Sequence, residues 1–271
     1  MISKSNLLDQ RLKIMQSVLA WEGSIGNTRI RQLFGLQLVQ ASRLLADFRA
    51  YMGDQIFEDT KAKVWRPAKH EELIPELSLN EYSRIVESAD SLFLVDARVD
   101  LTDMSPTVFS ILRQAITAGK GVNISYASMN NPTFHERIIY PHSFVHAGRR
   151  WHVRAWCDKN LDFRDFTLGR IRDAILIQKE APVSKERDDK WKKLVDIELI
   201  AHNKLDSERK QVVEVEYFNG NKAKTITSRV CLAPYVIQEI RAAINPQVEI
   251  PPEFQIEIAN VDELKKILFE G

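Results

Sequence analysis

Residues 150–157 (Arg150-Trp151-His152-Val153-Arg154-Ala155-Trp156-Cys157) alternate with the period of a strand. The even positions put His152, Arg154 and Trp156 on one face, opposite an apolar face of Trp151, Val153, Ala155 and Cys157. Arg164 and Arg170 share a parity in the next expected strand, and Ser125, Tyr126 and His142 lie in or beside neighbouring ones. Guanidinium groups grip phosphate bidentately and aromatic rings stack on bases, so this face predicts a site for a planar or phosphorylated anion. The plainer alternative is a solvated face on which the arginines pair with Asp158, Asp162 and Asp165.

A second constellation lies near the N-terminus. Gln37, Gln40, Ser42 and Arg43 fall on the polar side of residues 36–52, whose Leu38, Ala41, Leu45, Phe48 and Met52 are spaced to face a core. Gln can pair bidentately with adenine edges and Arg with guanine, while Arg29, Arg31 and Arg49 are placed for phosphates. A lone helical pair with a solvated polar face would give the same pattern. The neighbouring segment favours a reader of duplex DNA: residues 56–58 and 64–66 form two short strands around a polar hairpin carrying Lys61 and Lys63, a basic wing. No nucleophile elbow, phosphate loop or paired-carboxylate motif occurs, so no catalytic residue and no enzyme activity is expected. His135, His142, His146 and His152 lack a Cys or carboxylate at ligand spacing, so neither a metal nor a cofactor is expected.

The elements that position these groups are set by periodicity and breakers. Leu8, Leu12, Met15, Val18 and Leu19 make residues 7–20 a helix; Asn27 is placed to cap a second over 28–34, which Gly35 ends. Helices are expected over 80–87 and from Ser105-Pro106 to Ala118, in an acidic connecting span. From Gly121 the period becomes two. Strands over 122–126, 137–140, 150–157, 164–170 and 175–178, with a bend at 141–143 and a turn at Gly148-Arg149, predict a small bent sheet or barrel. After a charged linker at 185–193, strands over 195–201, 223–230 and 254–258 alternate with helices over 206–217, 233–243 and 261–269.

Charge supports the same division. The 271 residues carry 38 Lys plus Arg against 37 Asp plus Glu, a net of +1 that hides opposed blocks. Residues 1–70 hold eleven basic and six acidic groups, net +5, and 137–172 hold eight and three, again +5. Residues 76–120 and 181–271 are net −3 and −2. Two anion-facing surfaces are therefore expected, separated and followed by acidic spans. No apolar run approaches the ~18 to 20 residues of a membrane helix, the start lacks a signal-peptide layout, and two cysteines, Cys157 and Cys231, give no disulfide framework. A soluble cytoplasmic protein without a membrane partner is the expectation.

Two stretches also resemble known families. Residues 32–45, with Phe34-Gly35-Leu36 at the turn and Gln40-Ala41-Ser42 in the reader helix, are similar to the helix-turn-helix of bacterial winged-helix repressors, although Gln37 stands where that pattern usually caps the helix with Ser. Tyr140-Pro141-His142, the run from Gly148 to Trp156, and the run from Arg164 to Ile171 resemble the WYL domain, with Trp151-His152-Val153 in place of its Trp-Tyr-Leu triplet. The resemblance is nearest to the WYL repressors found beside bacterial anti-phage operons of the BREX and CBASS type. It implies an α+β multidomain chain: a winged helix-turn-helix at 1–75, a helical linker at 76–120, an Sm-like WYL barrel at 121–182 and a small α+β dimerisation extension at 190–271. Carried over by position, the family's ligand pocket would fall on Ser125, His142, Arg154 and Arg164, with Tyr126, His152 and Arg170 beside them. The implied protein is a homodimeric repressor of a phage-defence operon, bound to an inverted-repeat operator and answering to a nucleotide or oligonucleotide effector. A nucleic-acid-binding subunit of a larger enzyme and a ligand-dependent activator are the alternatives.

Overall fold

In the computed structural model, which describes residues 4–86 and 103–268, the stripe expected over 7–20 lies on α1 (Lys4–Glu22). Its Leu12, Met15, Val18 and Leu19 share a core with Ile30 of α2 (Asn27–Phe34) and with Ala41, Leu44, Phe48 and Met52 of α3 (Leu38–Met52). The buried stripe of α3 thus runs through Leu44. Leu38, expected inside, sits in the first turn and is 59% exposed, because no described element covers that end of the helix face. Gly35 closes α2 in the left-handed region at φ 61°.

Strands β1 (Ile56–Asp59) and β2 (Val64–Pro67) pair antiparallel, as expected of a wing. Trp65 and Ile25 exchange backbone hydrogen bonds of 2.7 and 2.9 Å, which seats the hairpin on the loop before α2. Gly26 is needed there: a Cβ would meet the Lys63 carbonyl and Val64 at 3.1 Å. Helix α4 (Leu79–Val86) adds Tyr82 and Val86 to this core, so part of the expected linker belongs to the first unit. The chain divides into two units, Met1–Arg98 and Val99–Gly271. Glu87 and Phe269, the last residues of two expected helices, lie outside the described residues.

In the second unit, α5 (Pro106–Ala118) starts on a Ser105 cap and buries Val108, Leu112 and Ala115 against a five-stranded sheet, so it too is core rather than connector. The sheet comprises β3 (Lys120–Tyr126), β4 (His135–Ala147), β5 (Arg150–Cys157), β6 (Asp162–Thr167) and β7 (Ile171–Glu180), all antiparallel, in the order β6-β5-β4-β3-β7. The bend expected at 141–143 is a β-bulge inside one long strand: Pro141 faces Ala155 and Ser143 faces Arg154, which leaves His142 as the extra residue. Proline has no N–H for the ladder and is tolerated at such a place.

After a short α6 (Asp189–Lys192), β8 (Leu194–Ala201), α7 (Ser207–Phe218), β9 (Ala223–Arg229), α8 (Ala233–Ile240), β10 (Ala242–Ala243), β11 (Ile256–Ile258) and α9 (Val261–Leu268) build a second sheet in the order β10-β11-β8-β9. Its core gathers Ile197, Leu199, Val213, Phe218, Ile237, Ile258 and Leu264. The helix expected over 233–243 stops at Ile240, because Arg241 turns left-handed (φ 51°) and Ala242 pairs with Ile256.

Candidate functional site

On the first unit, Arg31, Gln37, Gln40, Ser42, Arg43 and Arg49 are all exposed, and Lys61 and Lys63 stand exposed in the hairpin turn. Helix α3 begins without serine. Its Gln37 N–H donates to Gln40 Oε1 at 3.1 Å, which satisfies one of the donors a helix start leaves open. Asn27 is not the cap of α2; Gly26 holds that position, and Asn27 Nδ2 instead donates to Ser42 Oγ (2.8 Å) and the Leu38 carbonyl (3.2 Å). That tie fixes the angle between α2 and α3. The Arg49 guanidinium lies 4.3 Å from the Trp65 ring, joining α3 to the wing.

Arg29 stands apart from this surface. Its side chain is turned inward onto Glu22, with Nε donating at 3.0 Å and Nη2 at 2.6 Å, and the Tyr82 hydroxyl donates to the same carboxylate at 2.9 Å. The expectation of Arg29 at a phosphate is corrected accordingly: it is a half-buried strut joining α1, α2 and α4. In the wing, Asp59 accepts from Arg66 Nε (2.9 Å) and the Ala62 N–H (3.0 Å), and these bonds hold its carboxyl below the usual range. The turn that carries Lys61 and Lys63 is thereby pinned. If Lys61 meets a phosphate, Lys61→Ala should flatten the salt dependence of DNA binding by about one unit of slope in titrations at graded salt; an unchanged slope removes the wing from the interface.

On the second unit the register sorts the expected ligand residues. His152, Arg154 and Trp156 do share one face of β5, and the bulge turns His142 toward Arg154's partner. Arg164 faces Ala155 across the ladder, so it lies on the opposite face, exposed and 3.4 Å from Asp162. Tyr126 is buried in the α5-side core, edge-on to Phe166 at 5.1 Å. Ser125 shares Arg154's face but pairs with Glu136, whereas Arg154 pairs with Ser143. Glu136 and Ser143 are seven positions apart in β4, one of them the bulged His142, a separation of roughly 20 Å at ~3.3 Å per residue. Arg170 follows β6 in a 3-10 turn, close enough to act on the charge of His152. His142, His152, Arg154 and Arg170 are therefore the members brought together.

Arg154 is 4% exposed, and its guanidinium is already matched by carboxylates. Nε and Nη2 donate to Asp188 at 2.7 and 2.9 Å, and Nη1 donates to Asp165 at 3.3 Å. Asp188 is 1% exposed and also lies 3.2 Å from His142 Nε2. The Tyr235 hydroxyl donates to Asp165 at 3.3 Å. Burial would raise the Asp188 carboxyl, but its bonds with His142 and Arg154 outweigh that and hold it well below the usual range. For Asp165 burial prevails over Arg154 and raises the carboxyl. His152, buried against the Tyr235 ring at 4.8 Å, is pushed down to about 4 by burial and then by Arg150 and Arg170, so it is neutral at pH 7. Its Nδ1 and Trp156 Nε1 are buried without a partner among the described residues. Asp188 and Tyr235 belong to this site without a sequence pattern to mark them. Asp188 sits in a run of Lys, Arg, Glu and Asp that has the composition of a solvated linker, and only its place before Trp191, whose N–H it caps, hints otherwise.

Among the described residues no cluster of three or more His, Cys, Asp or Glu is arranged to hold a metal, and no helix is long and apolar enough to cross a membrane. Residues 8–87 match the BrxR transcriptional regulator winged helix-turn-helix domain, 107–176 the WYL domain, and 194–264 the BrxR transcriptional regulator C-terminal dimerization domain. Fold and domain set together define a WYL-domain winged helix-turn-helix transcriptional regulator. More narrowly, the outer two of these domains are the ones that match BrxR regulators. It is similar to the "DNA-binding transcriptional repressor CapW" of Escherichia coli (strain KTE188), at 27% identity over 96% of this chain and 91% of the relative. Proteins of the same description from Pseudomonas aeruginosa and Stenotrophomonas maltophilia are 23% and 26% identical, over 96% and 97% of this chain and 91% and 92% of theirs.

Proposed function

We propose that this protein is a homodimeric cytoplasmic repressor that binds an inverted-repeat operator, is relieved by a nucleotide-like or nucleic-acid effector at the WYL sheet, and controls a phage-defence operon. The observation that carries the reading is the exposed set Gln37, Gln40 and Arg43 at the N-terminal half of α3, flanked by the pinned lysine wing. The N-terminal residues of a reader helix are the ones that meet base edges in the major groove. The relatives' description as repressors supports the sign of regulation, and the 194–264 dimerisation domain supports two heads on two half-sites. The chain acts by binding, without catalysis, through a reader that includes α4, a sensor that includes α5, and an assembly module at 190–271.

The test is a gel shift on the DNA upstream of the protein's own gene. Arg43→Ala should weaken the shift about ten- to hundredfold, in line with the roughly 1–3 kcal/mol of a good bidentate base contact. An unaltered shift would sink the assignment of α3 as the reader. Binding without preference for that DNA over unrelated duplex would favour the enzyme-subunit alternative.

A further inference from the structure

We propose that Asp188 is a tethered competitor for the anion site of the WYL sheet: a terminal phosphate must displace it from Arg154, and the displacement frees the segment that leads into the dimerisation domain. The inference rests on the reading of this sheet face as the effector site.

Geometry makes the two occupants mutually exclusive. Asp188 takes Nε and Nη2 of Arg154, Asp165 takes Nη1, and a single positive charge already faces two carboxylates. The Nε/Nη2 edge, which an external anion would grip bidentately, is filled while Asp188 is in place, and the carboxylates leave the guanidinium no net charge to attract one. Of the two carboxylates, Asp165 is fixed in β6, directly across the ladder from Arg154, and holds the Tyr235 hydroxyl. Asp188 sits outside both sheets, between β7 and β8, so it is the one that can leave.

The shape of the vacated place selects the class of ligand. Asp188 presents Oδ1 to Nη2 and shares Oδ2 between Nε and His142 Nε2. A phosphomonoester supplies oxygens for both positions, with one left for His152, two residues along the same face, 5% exposed and without a partner at Nδ1 among the described residues. It also carries a charge of about −1.5 to −2, against −1 for the carboxylate. Arg150 and Arg170, whose fields reach His152, face the added charge favourably.

Displacement has a route outward. Asp188 caps α6 through the Trp191 N–H (3.1 Å). The Trp191 ring meets His142 edge-on at 5.2 Å on one side and lies 4.6 Å from the Arg229 guanidinium of β9 on the other. Arg229 also donates to the Trp191 carbonyl. Helix α6 therefore clamps the sensor sheet to the sheet of the dimerisation domain, and a phosphate seated on Arg154 would undo one jaw. A ligand shifts such an equilibrium only by its preference for the open state, and this site has that preference built in.

The test measures binding of 5′-phosphorylated tetrathymidylate to the full-length protein, with the unphosphorylated oligomer and thymidine 5′-monophosphate as further arms. Asp188→Asn and Asp188→Ser both keep a residue able to cap α6. Each should bind the phosphorylated oligomer about tenfold more tightly than the parent, the gain expected if the latch is closed roughly nine-tenths of the time. Saturating probe should also speed tryptic cleavage of the parent protein at Lys185, Arg187, Lys190, Lys192 and Lys193, a readout that does not depend on either variant folding. Binding by the monophosphate as well assigns a mononucleotide, and binding by the oligomer alone assigns a strand end; both support displacement. Phosphate-dependent binding of equal strength in parent and variants, or unchanged cleavage, overturns the latch and leaves the effector site standing. No phosphate-dependent binding by any form overturns the site and the latch together.

Discussion

Replacing Arg154 by alanine is expected to cost the second unit about 3–5 kcal/mol at neutral pH, because it strands two buried carboxylates rather than merely removing a contact. Asp188 and Asp165 both face the guanidinium, and among the described residues neither has another cation within hydrogen-bonding distance apart from His142 when protonated. The pH dependence distinguishes stranded charge from lost packing. In the parent, the Asp188 carboxyl is held below its unfolded value of ~3.9, so it contributes stability above that pH that drains away as pH falls toward the folded value. Without Arg154, burial is opposed only by the bonds from His142 and the Trp191 N–H to Asp188 and from Tyr235 to Asp165, so both carboxyls move upward from where the parent holds them. The variant is then penalised at pH 7 and relieved as the groups protonate on acidification. Urea melts of the two proteins from pH 7 to pH 4 should converge; a gap constant with pH would show that packing, not charge, was lost. Replacing Arg154 with Met and Asp188 with Leu together should recover the part of the deficit that Asp188 causes, since an apolar pair of similar volume often matches a buried ion pair, and leave the part due to Asp165.

That variant also marks where sequence stopped being informative. Strand alternation is a local property, so β5 was legible to the residue, and its register put His152, Arg154 and Trp156 on one face as the period requires. The partner of Arg154 was not, because Asp188 lies 34 residues away in a run whose composition is that of solvent-exposed chain. Burial of a charge depends on a distant counter-charge, and no window of sequence contains both. The same holds for Arg29 and Arg43. Both are arginines on short amphipathic helices, yet Glu22 and Tyr82 draw one inward while the other stays exposed. Arg164 failed to join the cluster for a different reason: parity within one strand says nothing of which residue it meets across the ladder, and Arg164 faces Ala155. The bulge at His142 was visible only as a proline that ought to bend the chain. The bend instead became an extra residue within β4, which is what aims that imidazole at Asp188.

Phe48→Ala is expected to remove about 3–5 kcal/mol from the first unit, a large share of what holds a domain of this size. Phe48 is wholly buried in the C-terminal half of α3, in the core that α1, α2, the wing strand β1 and α4 all share through Met15, Ile30, Ile56 and Tyr82. Its ring is also stacked near Tyr51 at 6.5 Å. No flanking side chain can close the space by a simple rotamer change, since its neighbours Leu44 and Met52 are themselves packed on the same stripe, and an unfilled cavity adds to the lost transfer energy. Helix α3 owes its position to this stripe, so if it is the reader, DNA binding should fall with the unit's stability although Phe48 is not on the exposed face of Gln40 and Arg43. The second unit has its own cores, built on α5 with the five-stranded sheet and on α7 and α8 with the four-stranded one, and none of their members changes. Limited proteolysis should therefore leave a resistant fragment beginning after the first unit, and that fragment should keep any affinity for phosphorylated tetrathymidylate that the intact protein shows. Loss of both units together would mean that the cores are not energetically separate, and that the second unit depends on the first for its fold.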